Sequence, residues 1–125
     1  MRLDADYPDA HCHAGFALQG LGEHKAAIPE YLAALKFKPD YLEALVNLGG
    51  AYLESDKSQE ALAPLLRAIE LNPECVEAHD LLGAVYFNNG DRKKAIEQLR
   101  IVKSLRPEFE GELSKLLTSE NVTGK

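Results

Sequence analysis

Three residue types recur along this chain at one fixed step. Gly15, Gly49 and Gly83, then Ala27, Ala61 and Ala95, then Pro39, Pro73 and Pro107 are each spaced by 34 residues. Written beneath one another, "DAHCHAGFALQGLGEHKAAIPEYLAALKFKPDY", "EALVNLGGAYLESDKSQEALAPLLRAIELNPEC" and "EAHDLLGAVYFNNGDRKKAIEQLRIVKSLRPEF" align without a gap. Self-similarity at such a period means a stack of equivalent units, each too small to bury its apolar faces alone.

Each unit reads as two helices. In the middle copy Leu45, Leu48, Ala51 and Tyr52 recur at helical spacing, "ESDKS" interrupts, and Ala61, Leu62, Leu65, Ala68 and Ile69 resume the pattern. Gly22 and Gly90 fall in the interruptions of the outer copies, where a left-handed backbone is cheapest for glycine. Asp56 holds that place in the middle copy, and aspartate tolerates the conformation better than most residues. Ser58 is the expected N-cap of the helix that follows. The periodic prolines end each second helix, because the residue before proline is driven out of the helical region. Pro29 and Pro64 lie inside second helices, where each removes a backbone bond, and a bend is expected at both. Gly15, Gly49 and Gly83 sit within first helices at a cost of about 1 kcal/mol each relative to alanine, which argues for close approach of a neighbouring element.

Composition narrows the function. The formal charge is −6 and the longest basic run is Arg92 to Lys94, a balance opposed to phosphate backbones, so nucleic acid is not an expected partner. No apolar run approaches the roughly 20 residues of a membrane span, and no secretion signal is legible, so direct membrane insertion is not expected. With two cysteines 63 positions apart, reduced thiols in a cytoplasmic setting are the expectation.

The pattern Leu48-Gly49-x-x-Tyr52, Ala61, Leu65, Ala68, Pro73, repeated as Leu82-Gly83-x-x-Tyr86, Ala95, Leu99, Val102, Pro107, resembles the tetratricopeptide repeat. The first copy is looser, with Ala14-Gly15-x-x-Leu18, Ala27, Tyr31, Ala34 and Pro39. The resemblance implies an all-α fold, an α-solenoid of three helical hairpins in a right-handed superhelical array. The repeats span residues 8–41, 42–75 and 76–109. Leu113, Leu116 and Leu117 continue the apolar spacing as a capping helix over 110–118, and 119–125 reads as a disordered tail. "RLDADY" stands in register with "KFKPDY", so residues 1–7 read as the remnant of a preceding repeat. On that reading the open first hairpin, at Ala14, Leu18 and Leu21, is a candidate for self-association.

The resemblance also implies a function: a protein-protein interaction module, adaptor or scaffold, that holds a partner segment in a concave groove lined by first helices. Carried over by register, the peptide-binding residues are His13 and Phe16, then Val46, Asn47, Gly50 and Leu53, then Asp80, Ala84, Phe87 and Asn88. Asparagine in the place of Asn47 bonds a peptide backbone through donor and acceptor together. Phe87 and Phe16 are the apolar anchors. Glu43, Glu54, Glu77 and Asp80 lie along or beside this face without lysine or arginine among them, which predicts an acidic groove and an apolar ligand with basic residues. The alternatives are a self-associating structural array and a regulatory repeat module of a larger protein or enzyme.

His11, Cys12 and His13 invite a metal reading. On a helix, residues two apart point about 200° away from each other, so the imidazoles do not converge on one ion. In the repeat register His11 and His79 are equivalent to Leu45, which is how packing residues behave. No nucleophile, base and orienter share a recognisable spacing, so neither an enzyme nor a cofactor is expected. The glycines lie in helices or hairpin turns and make no phosphate cradle.

Overall fold

The computed structural model describes the backbone of residues 3–123 and the side chains of residues 7–117. The helices are α1 (Leu3–Gly20), α2 (His24–Phe37), α3 (Leu42–Glu54), α4 (Ser58–Leu71), α5 (Val76–Asn88), α6 (Arg92–Leu105) and α7 (Glu112–Thr123), with no strand among the described residues. They pair as hairpins α1/α2, α3/α4 and α5/α6, and the second helix of each hairpin packs on the first helix of the next. The first helices α1, α3 and α5 thus lie side by side along one face, and α7 continues that row beside α5.

Two local devices repeat and explain why the chain turns where it does. Inside each hairpin one residue takes positive φ: Gly22 at 83°, Asp56 at 62° and Gly90 at 85°. The following N–H then reaches back to the first helix, from Glu23 to Leu18 at 2.8 Å, Lys57 to Tyr52 at 2.8 Å and Asp91 to Tyr86 at 2.9 Å. Between hairpins, Lys38, Asn72 and Arg106 open to φ of −140°, −144° and −150° directly before the periodic prolines.

Ser58 is not an N-cap. It is the first residue of α4, Lys57 occupies the cap position, and no side chain closes that end. Asp91 does cap α6, accepting from the Lys94 N–H at 3.1 Å. Helices α2 and α4 run unbroken through Pro29 and Pro64.

Small residues set the packing distance. A Cβ on Gly15 would lie 2.8 Å from the Tyr31 ring, and one on Gly49 would lie 2.5 Å from Leu65, each on the second helix of the same hairpin. At Gly83 the obstacle is Leu113 of α7, with Gln98 Cβ at 3.1 Å. Ala27, Ala61 and Ala95 are fully buried opposite them.

At the two ends α1 begins at Leu3 and α7 runs to Thr123. Residues 1, 2, 124 and 125 lie outside the described residues. At the open end of the stack Ala10, Ala14 and Ala17 are exposed, whereas their equivalents Ala44, Leu48 and Ala51, and Ala78, Leu82 and Val85, are buried. Leu21 is 76% exposed there, but Leu18 turns inward onto the first core cluster.

A cleft along the first helices

The row α1, α3, α5 leaves a cleft whose central part is a cavity of about 400 Å³. Of the residues expected in a groove, Phe16, Val46, Asn47 and Gly50 meet there, joined by Gln19, His24, Glu54 and Leu81. Leu53, Ala84 and Asn88 line a smaller cavity of about 170 Å³ with Leu81, which α7 walls off through Glu112 and Leu116. A third hollow of about 600 Å³ opens beside the α1–α2 turn, between residues 21–26 and the end of α3 at Glu54 and Ser55.

Three expected groove residues stand outside these cavities. Asp80 is only 5% exposed, and its two oxygens accept the N–H groups of Glu112 and Leu113 at 2.9 Å each, so it caps α7 from a neighbouring helix. Phe87 packs against the cluster of Ala95, Leu113 and Leu117 instead of standing free. His13 is exposed but lines none of the three cavities. The cause is the same for the first two: α7 lies on α5 and takes up the third repeat's share of the face.

The carboxylates are correspondingly fewer than the sequence implied. Asp80 is sequestered, and Glu77 stands 4.0 Å from Arg106. Glu43 is exposed, and only Glu54 of the four lines a cavity. Neither of the two cavities between α1, α3 and α5 is lined by lysine or arginine, whereas Lys25 lines the 600 Å³ hollow.

Polar groups in the cleft are unevenly satisfied. The Tyr31 hydroxyl donates to Gln19 Oε1, and burial pushes its phenol above the ordinary value, so it stays a donor. Among the described residues His24 Nδ1, Asn47 Nδ2 and Ser55 Oγ are buried atoms without a hydrogen bond of normal geometry, although Asn47 stands near enough to the Tyr31 hydroxyl to oppose in part the effect of burial on it. Sequence reading missed Gln19, His24 and Leu81 as cleft residues. The signal for Leu81 was present, since it is the register equivalent of Asn47. His24 carries none, because it stands one residue past a turn where Ser58 and Arg92 are its equivalents.

The histidine and cysteine triplet separates in space. Cys12 is fully buried, His13 points to solvent, and His11 Nδ1 pairs with Glu30 Oε1 at 2.8 Å. His79 repeats the arrangement with Gln98 at 2.7 Å and adds a bond to the Pro73 carbonyl at 2.7 Å. In the middle repeat the same two places hold Leu45 and Pro64, both buried, so a polar pair and an apolar pair fill one site. Among the described residues no group of three or more His, Cys, Asp or Glu is placed to hold a metal ion. Burial pushes both thiols, Cys12 and Cys75, above their ordinary values, which keeps them protonated and inert.

The tetratricopeptide repeat model matches residues 14–74 and again residues 48–108, in the step that the hairpins repeat. The chain belongs to the tetratricopeptide repeat (TPR) family. Among solved structures it is similar to that of MamA, with 31% identity and a TM-score of 0.79 over 86% of this chain and 64% of the MamA chain. The Arabidopsis OM64 TPR domain superposes with a TM-score of 0.85 at 18% identity over 98% of this chain and 99% of that one. The first TPR of Spaghetti (RPAP3), bound to the HSP90 peptide SRMEEVD, gives 0.83 at 20% identity over 94% and 93%. The last two likenesses are of fold alone. Among curated protein sequences none matches this chain. No helix of the described residues is long and apolar enough to cross a membrane.

Proposed function

We propose that this TPR chain is a protein-interaction module that holds an extended or helical segment of a partner in the cleft between α1, α3 and α5. The observation that carries this reading is Phe16, 62% exposed in the lining of the cavity that Val46, Asn47, Gly50 and Leu81 help to form. An exposed aromatic beside a partly buried amide offers an apolar anchor and a polar group at one place. The fold likeness to a TPR domain solved with a bound peptide supports reading the chain as a peptide-binding module. Its ligand differs in chemistry: SRMEEVD is acidic, and here no lysine or arginine lines the two cavities between the first helices. An apolar segment with basic residues suits this surface. The reading assigns no catalytic step to the chain.

The test is a peptide-display selection against the full chain followed by calorimetry on the best binder. Phe16→Ala and Asn47→Ala should each weaken it by more than about 1 kcal/mol while leaving the thermal midpoint in place. Unchanged affinity in both variants would remove the cleft as the site.

A second reading is end-to-end association through α1, favoured by the exposure of Ala10, Ala14 and Ala17 where the equivalent residues of the other repeats are core. Light scattering across a range of concentration decides it. A mass constant at 13.8 kDa leaves the cleft reading alone, and a mass that climbs supports stacking.

A further inference from the structure

The three hollows of the concave side share one residue. Glu54, the last residue of α3, lines the 400 Å³ cavity, the 170 Å³ cavity and the 600 Å³ hollow alike. Its carboxylate is exposed and forms no ion pair among the described residues. In the first cavity it is the only carboxylate or permanent cation in the lining, and in the second its charged companions are Asp56 and Glu112. Only the third contains a lysine, Lys25, and Glu23 accompanies it there.

Two further observations converge on the same spot. Helix α3 ends there without a basic residue in its last turn, so no cation on the helix offsets the partial negative charge of its C-terminal end, whose last carbonyls accept from the Ser55, Asp56 and Lys57 N–H groups. The buried, unpartnered side-chain atoms of the described residues belong to His24, Asn47 and Ser55, and each of these residues lines a hollow that Glu54 also lines. Polar side chains whose pairing inside the chain is incomplete thus surround the Glu54 carboxylate.

We propose that Glu54 is the specificity-determining residue of the cleft and selects a lysine or arginine side chain flanked by apolar residues in the bound segment. The inference rests on the reading of the cleft as a peptide site. The cationic head meets the Glu54 carboxylate and the end of α3, while the apolar flank lies along Phe16, Val46 and Leu81. A glutamate in the central place of the ligand would meet Glu54 with like charge and is rejected.

The test uses nonapeptide pools, degenerate over apolar and small residues except for a fixed central lysine, norleucine or glutamate. They are titrated into the nitrogen-labelled full chain while the Gly50 and Gly20 amides are followed by NMR. The lysine pool should bind about tenfold more tightly than the norleucine pool, and the glutamate pool more weakly than either. Glu54→Gln should erase the lysine preference, bringing the lysine and norleucine pools to equal affinity, and Glu54→Lys should transfer the preference to glutamate. Equal displacement of Gly50 by all three pools would overturn the role of Glu54 while the cleft stands. If no pool moves Gly50, the cleft reading falls and the role of Glu54 falls with it.

Discussion

Asp80 on α5 and Leu113 on α7 are joined by a buried hydrogen bond of 2.9 Å from the Leu113 N–H to Asp80 Oδ1, and the adjacent Glu112 N–H donates to Oδ2. One side chain therefore closes a helix start that belongs to another element. The approach depends on Gly111, where a Cβ would stand 2.5 Å from Asp80 Oδ2. Equivalent places in the other repeats hold Cys12 and Val46, neither of which accepts two N–H groups, so this docking belongs to the third repeat alone. Asp80→Ala should cost about 1–3 kcal/mol, read from urea denaturation, because it orphans two donors at once. Exchange protection at the Glu112 and Leu113 amides should fall before that of α3 or α5. Unaltered stability would mean that α7 is held by Leu113 and Leu117 without its cap.

Burial raises the Asp80 carboxyl above its ordinary 3.8, against the two N–H donors and Lys115, which lower it, and with Glu77, which raises it. A folded-state value above the unfolded one means that the native chain holds the proton more readily. Protonating Asp80 as pH falls from neutrality toward 3.8 therefore moves stability in favour of the folded state, and the shift is complete below the unfolded value. Relative to Asp80→Asn, the natural chain should gain stability over that interval. An NMR titration of the Asp80 carboxyl carbon checks the premise, and a midpoint at or below 3.8 contradicts it.

Two glycines make opposite predictions from one substitution. Gly20 ends α1 with nothing within 4 Å of an added Cβ, so Gly20→Ala should stabilise by up to about 1 kcal/mol through helix propensity. Gly49→Ala gains the same propensity but drives its methyl to 2.5 Å from Leu65, which is fully buried and has nowhere to go. Overpacking at about 1–3 kcal/mol outweighs the propensity gain, so the net change is destabilising. Thermal unfolding of both variants measures the contrast.

These glycines also show how much of the fold was legible. A step of 34 carries the hairpin, its turn and its stop together, because each is a backbone requirement that few residue types meet, as at Gly22 and Pro73. Register alone brings Phe16, Val46, Asn47 and Gly50 to one cavity and Leu53, Ala84 and Asn88 to the next, because all belong to the regular helices. It does not foresee the contacts of Asp80 and Phe87, because α7 lies outside the repeat and where it docks is a tertiary fact with no period. Register assigns a residue its face, and it does not say what later covers that face. Ser58 failed for a more local reason: residue type suggested a cap, but the chain enters α4 one residue earlier, at Lys57.

Asp56 carries a φ of 62° where the other two turns use glycine. A non-glycine residue pays for that conformation with roughly 1 kcal/mol, somewhat less for aspartate, so Asp56→Gly should stabilise the chain by a few tenths to about 1 kcal/mol. Gly90→Ala should do the reverse at the equivalent place. Urea midpoints for the two variants should move in opposite directions, and a loss of stability in Asp56→Gly would show that the aspartate side chain supports the turn in a way its backbone angle does not reveal.

Phe16 and Phe87 look alike in the sequence, both on first helices and both expected in the groove, yet they should respond differently to truncation. Phe16 is 62% exposed, so Phe16→Ala removes little packing and should leave the urea midpoint almost unchanged while weakening a cleft-bound peptide by more than about 1 kcal/mol. Phe87 packs on Leu113 and Leu117, so Phe87→Ala opens a void between α5 and α7 and should destabilise by about 2–3 kcal/mol, at the low end for a phenylalanine because the ring is only partly buried. Peptide affinity in Phe87→Ala should stay within about twofold of the natural chain below the unfolding transition, since the α1–α3 part of the cleft is untouched. Parallel calorimetry and denaturation on the two variants separate the roles. A loss of affinity in Phe87→Ala equal to that in Phe16→Ala would mean that the bound segment displaces α7 and reaches the third repeat after all.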